Sequence, residues 1–246
     1  MDHTLPDGTV AASGSGALIL IEAGVEGEHQ LFADEPVAHV TYFLQSATAA
    51  FRLGGESMVA LNGGLAISAE RTPSRVAIVE PEDLPVPSFF LDTEIVGTSG
   101  PRLAAGDFDD DGDDELAVLD GQREGRLWLV DHPFTTPRLS DDDAIPFPPV
   151  SDVDVGDIDG DGVDDIVVLT EGSGSRANVI VFLGPVDSPT QLEDADHSFL
   201  VEGVVLDGFD SVVEIGGLDR PTGELVIGVP NTELDVGEVI WLTDLL

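Results

Sequence analysis

Short apolar runs recur along the chain, each bounded by glycine, proline or acidic residues. One version occupies residues 16–21, 74–79, 125–130, 177–182 and 237–242, at spacings of 58, 51, 52 and 60 residues. A second version, at residues 116–119, 166–169 and 225–230, precedes the last three of these. Runs this short and rich in Val and Ile predict strands. No segment carries a helical period. A repeat of about 55 residues, with several short strands per unit, is the arrangement of β-propeller blades. The expected fold class is therefore all-β, a propeller of four to five blades or part of a larger one. It spans residues 1–246 as a single domain, with degenerate units over 1–88, loop-bearing units over 89–200 and a degenerate last unit over 201–246.

Immediately before two of the second-version runs lies the same acidic loop, residues 107–115 and 157–165, each reading D-x-D-x-D-G-x-x-[DE]. Oxygen-bearing residues at positions 1, 3 and 5 set Asp107, Asp109 and Asp111 to face one centre, and likewise Asp157, Asp159 and Asp161. Gly112 and Gly162 stand at position 6, where the chain turns at a backbone conformation that favours glycine. That turn brings the position 7 carbonyl of Asp113 or Val163 inward, and the carboxylate of Glu115 or Asp165 closes the cage at position 9. All the donors are hard oxygens. Six or seven of them in a flexible loop suit Ca²⁺ better than Mg²⁺, which demands tighter octahedral geometry. Two Ca²⁺ sites are expected.

Empty, such a loop is unfavourable. Two like charges about 4 Å apart repel by roughly 4 kcal/mol at an effective dielectric near 20, and each loop gathers four carboxylates. An EF-hand begins with the same spacing but needs a bidentate Glu at position 12 and flanking helices. Position 12 here is Val118 or Val168, inside apolar strand-like runs, so the loops belong to β-hairpins.

Composition changes the picture in one respect. The chain has 49 acidic and 9 basic residues, a formal net charge of −40, and its basic residues are all arginine. A surface so acidic repels phosphate backbones, which argues against nucleic acid as a partner, and it suits a saline medium. With 42 % hydrophobic residues, the chain still has enough apolar surface for a core. Cysteine is absent, so no disulfide framework exists. No apolar run approaches the ~18 residues that would span a bilayer. The opening residues have neither a basic nor an apolar signal-peptide region. Loops of this kind nevertheless point to an extracellular or cell-surface setting, because extracellular modules bind Ca²⁺ with a Kd of about 10⁻⁴ to 10⁻³ M.

The last unit is a decayed copy. Phe209, Ser211 and Val213 lead into residues 216–224, where position 1 has become Gly217 and the loop is one residue short. Asp219 and Glu224 remain as its only carboxylates, too few to hold Ca²⁺. The unit at residues 58–79 has a tight turn at residues 62–64 in place of the loop. Phe209, Ser211 and Val213, followed by residues 224–230 and by Gly237 and Val239, resemble the FG-GAP repeat of integrin alpha-chain propellers. Residues 106–112 and 156–162 resemble the calcium loops of that family and of bacterial VCBS-type repeats. The resemblance is specific from about residue 89 onward. It implies that each loop joins the two inner strands of a blade on one face of the disc. It also implies a role in adhesion, with a protein or glycan ligand on a propeller face. Four units and an N-terminal strand pair fall short of the seven integrin blades, so either a five-bladed ring or part of a longer propeller is expected.

The remaining candidates are weaker. Trp128 and Trp241 occupy similar places in their strands and are expected to pack between blades rather than to stack on sugars. His132 and His197 are expected in loops, without catalytic partners at recognisable spacing. The acidic, proline-rich stretch around residues 141–149 is expected to be a solvated connector, as is residues 193–197. The chain is read as a non-enzymatic, calcium-stabilised binding module, the alternative being the propeller domain of a secreted hydrolase or polysaccharide lyase.

Overall fold

A computed structural model describes residues 3–4, 10–11, 17–21, 38–42, 52–70, 75–79, 89–93, 101–120, 125–135, 138–171, 176–186, 191–202, 212–215, 224–231 and 236–243. Across these residues the chain is all-β, apart from single 3-10 turns at Asp141–Asp143 and Leu192–Asp194. Two short antiparallel pairs come first, β1 (His3–Thr4) with β2 (Val10–Ala11) and β3 (Ala17–Ile21) with β4 (Ala38–Tyr42). A meander of β5 (Arg52–Leu61), β6 (Gly64–Glu70), β7 (Arg75–Val79) and β8 (Phe89–Thr93) follows. Next comes β9 (Arg102–Gly106), β10 (Glu115–Asp120) and β11 (Gly125–Val130). The chain then crosses back as β12 (Arg138–Leu139), parallel to β8, and returns as β13 (Ile145–Phe147) on the edge of β11. The third meander is β14 (Val150–Gly156), β15 (Asp165–Glu171), β16 (Arg176–Phe182) and β17 (His197–Glu202). The last is β18 (Val212–Ile215), β19 (Glu224–Asn231) and β20 (Val236–Thr243). None of these sheets closes on itself.

The four larger sheets stack face to face, and an apolar layer fills each gap between them. Leu61, Ala66, Val76 and Ile78 meet Leu116, Val118, Trp128 and Val130 in the first gap. In the second, Ala117, Leu119, Leu127 and Phe147 meet Val153, Ile166, Val168 and Phe182. The third sets Val167, Leu169, Val179 and Val181 against Val213, Leu225, Ile227 and Val229. Successive side chains of a strand point to opposite faces, so β10 and β15 must be apolar at every position to serve two gaps. That is why residues 116–119 and 166–169 are unbroken apolar runs, and all eight residues are fully buried.

The first strands of successive sheets, β5, β9, β14 and β18, lie side by side. Side chains tie them together. Leu103 N donates to Ser57 Oγ at 3.0 Å, Val213 N donates to Asp152 Oδ2 at 2.9 Å, and Ile215 N donates to Asp154 Oδ2 at 2.6 Å.

Sequence expectations and structure differ in three places. The acidic, proline-rich stretch is not wholly a connector, because residues 145–147 form the outer strand β13 with Pro146 exposed at its edge. An edge strand tolerates proline because its missing N–H faces no partner. His197 opens β17 rather than lying in a loop, and its ring stacks on Phe199 at 6.0 Å. The two tryptophans diverge. Trp128 is buried in the first gap, with Nε1 donating to Ser140 O at 2.8 Å, whereas Trp241 is 43 % exposed on the last sheet. The tight turn expected at residues 62–64 is present as a two-residue hairpin, with Gly63 at φ +116°.

Candidate metal centre

Each acidic loop leaves the first strand of its sheet and enters the second. Gly106 pairs across the sheet with Glu115, and Gly156 with Asp165, so the base of each loop is closed by the ladder itself. The strands on either side, with Val118 and Val168 buried inside them, remove the EF-hand geometry. Gly112 and Gly162 lie at φ +94° and +97°, and a Cβ on either would meet nothing within 4 Å. Glycine is required there by backbone conformation and not by space. At position 4 the same left-handed region holds Gly160 in the second loop and Asp110, at φ 64°, in the first.

Backbone amides draw the carboxylates inward. Asp107 accepts from Asp111 N and Gly112 N, and Asp157 from Gly160 N and Gly162 N. Asp109 Oδ1 accepts from Asp111 N, and Asp159 Oδ1 from Asp161 N. Asp111 and Asp161 each accept from the amide of position 7, Asp113 N or Val163 N. Carboxylate oxygens of Asp107, Asp109 and Glu115 thereby come within 4.8 Å of one another, as do those of Asp157, Asp159 and Asp165. These are positions 1, 3 and 9 of each loop, and such a group could hold a metal ion. Asp111, Asp113, Asp161 and Val163 fall outside the two trios. Asp111 instead groups with Asp109 and with Asp131, which the loop spacing did not single out.

Asp131 is placed by strand register. Val130 pairs with Leu116, so the next residue beyond β11 arrives beside the loop. The equivalent position in the following sheet, one past Phe182 opposite Ile166, is Leu183. The first loop thus gains a carboxylate from the end of β11 that has no counterpart beside the second. His132 Nδ1 lies 3.3 Å from Asp131 Oδ1 on the exposed surface, a partner adjacent to it in the chain. A cleft beside the first loop is lined by Asn62, Asp113, Asp114, Asp131, His132 and Phe134.

The two position 9 carboxylates differ in a way that bears on ion binding. Asp165 is fully engaged, Oδ2 accepting from Ile158 N at 2.7 Å and Oδ1 from Gly184 N at 2.8 Å. Glu115 Oε2 accepts from Phe108 N at 3.0 Å, but its Oε1 is buried with no hydrogen-bond partner. Burial, and then the Asp109 carboxylate, push Glu115 up to about 7. Burial followed by the Asp111 carboxylate raises Asp109, and burial with Asp159 nearby raises Asp165. Asp164 is raised by burial and by the carboxylates of Asp107, Asp157 and Asp114. A buried, unpaired carboxylate oxygen costs stability unless a proton or a cation satisfies it.

No protein-family model matches this chain, and no curated protein matches it. The site therefore rests on its own chemistry. In the last sheet, Glu224 is the counterpart of Glu115 and Asp165. It is buried, and its Oε2 has no partner among the described residues. Its loop companion Asp219 lies outside the described residues, as do the candidate family residues Phe209 and Ser211.

Proposed function

We propose that this protein is a calcium-stabilised β-propeller of FG-GAP-like blades that works outside the cell or at its surface as a binding or adhesion module. The observation that carries the calcium reading is Glu115, whose buried Oε1 has no partner while its carboxylate lies within 4.8 Å of those of Asp107 and Asp109. The donors grouped with it are all carboxylate oxygens, which favours a hard cation of flexible coordination. Asp107, Asp109, Asp111, Glu115 and the Asp113 carbonyl would hold one Ca²⁺. Asp157, Asp159, Asp161, Asp165 and the Val163 carbonyl would hold the other.

Support for the propeller comes from four antiparallel sheets stacked face to face with their first strands side by side. The loop position supports the FG-GAP likeness, since each loop joins the first and second strands of its sheet. The acidic surface favours a protein or glycan partner over nucleic acid, because a net charge of −40 repels phosphate. Among the described residues no helix is long and apolar enough to cross a membrane.

Thermal melts with chelator and with millimolar Ca²⁺ test the reading. Calcium should raise the Tm, and Asp109→Ala combined with Asp159→Ala should remove most of that rise. Identical transitions in both conditions would overturn the calcium assignment.

A further inference from the structure

The two acidic loops belong to different sheets, yet they touch. Asp107 N donates to Asp164 Oδ2 at 3.1 Å, and Asp164 N donates back to Asp107 O at 3.1 Å. Asp107 opens the first loop, and Asp164 stands at position 8 of the second, between Val163 and Asp165. The approach is close enough to dictate sequence. A Cβ on Gly106 would run into the Asp164 carboxylate and would lie 2.7 Å from Val155 Cγ1. A second strut runs through the turn after β16. Gly184 N donates to Asp165 Oδ1 at 2.8 Å, and two residues later Val186 N donates to Phe108 O at 2.6 Å. A Cβ on Gly184 would meet Asp164 O at 2.7 Å, so this turn is pressed against the second loop as well.

We infer that the two loops act as one coupled cation-binding unit, with Asp164 as the residue that positions each loop against the other. The inference rests on the calcium reading above. An empty loop must be ordered before its oxygens converge, and that ordering opposes binding. An ion in the first loop fixes Asp107, whose backbone N–H and C=O hold Asp164. Asp164 in turn fixes the chain between the proposed ligands at positions 7 and 9 of the second loop. Ordering completed for one loop need not be repeated for the other, which gives positive cooperativity, and the coupling is reciprocal by linkage. Repulsion between the two ions acts in the opposite sense. It is offset because the carboxylates of each loop, seven in residues 107–115 and five in residues 157–165, outweigh a single divalent charge.

Calcium titration of the full chain by calorimetry tests this. Wild-type protein should bind two Ca²⁺ with positive cooperativity, and Asp159→Ala, which disables the second loop, should weaken binding at the first by about tenfold. In an Asp164→Ala background the same change should weaken it by less than about twofold. Asp164→Asn keeps an acceptor oxygen for Asp107 N and should restore the tenfold effect, which a merely structural role would not predict. If wild-type protein binds two Ca²⁺ but Asp159→Ala leaves the first loop's affinity unchanged, the coupling is overturned and the calcium reading stands. If wild-type protein takes up no Ca²⁺ at millimolar concentration, both fall. Should Asp164→Ala fail to fold, hydrogen exchange decides. In a chain whose first loop is disabled by Asp109→Ala, Ca²⁺ should slow exchange at the Asp107 and Val186 amides. Slowing confined to residues 157–165 would overturn the coupling.

Discussion

Glu115 and Asp165 occupy the same position in two copies of one loop, and one methylene separates their behaviour. The shorter Asp165 has its oxygens taken by the Ile158 and Gly184 amides, whereas Glu115 leaves Oε1 buried and unpaired. The Glu115 carboxyl lies at about 7 against an ordinary 4.5, so the folded chain holds that proton more tightly than the unfolded chain does. Its contribution to stability is full below pH 4.5 and disappears as pH rises through about 7. In chelator, the Tm should fall between about pH 5 and pH 8, and Glu115→Gln should flatten part of that fall. Saturating Ca²⁺ should flatten it too, because the ion replaces the proton. Melts across this range, with and without Ca²⁺, check both statements. The spacing of positions 1, 3 and 9 was legible in the sequence because those residues converge through local turns. Asp131 and Asp164 were not, since strand register delivers the first and stacking of separate sheets delivers the second.

At the scale of strands, the sequence was most informative where both faces of a strand are buried. The runs at residues 116–119 and 166–169 read as strands, and β10 and β15 contain them. A strand of three residues with proline at its centre carries no period, which is why β13 read as a connector. Links between first strands were equally hidden, because an aspartate on an alternating strand looks like an exposed residue. Asp152 is 9 % exposed, and its Oδ2 accepts the Val213 amide. Asp152→Ala would leave that amide buried and unpaired and should cost about 2 kcal/mol in urea unfolding. Asp152→Asn, which retains an acceptor, should cost less than half as much.

For the whole molecule, charge and core are in opposition. Apolar layers hold four sheets together while a formal charge of −40 acts to drive them apart. Monovalent salt shortens the screening length from about 10 Å at 0.1 M to about 3 Å at 1 M. With chelator present, the Tm should therefore rise with either NaCl or KCl over this range, by similar amounts for the two salts. A rise with Ca²⁺ at constant ionic strength would report specific binding instead. A strand edge with bare amides is a template on which a foreign chain can pair and aggregate. At the first strands of the stack, Ser57, Asp152 and Asp154 already occupy the amides of Leu103, Val213 and Ile215. An intruding strand would have to displace two carboxylates and a hydroxyl to gain those bonds, so this edge is guarded against misassembly by the same residues that join the sheets.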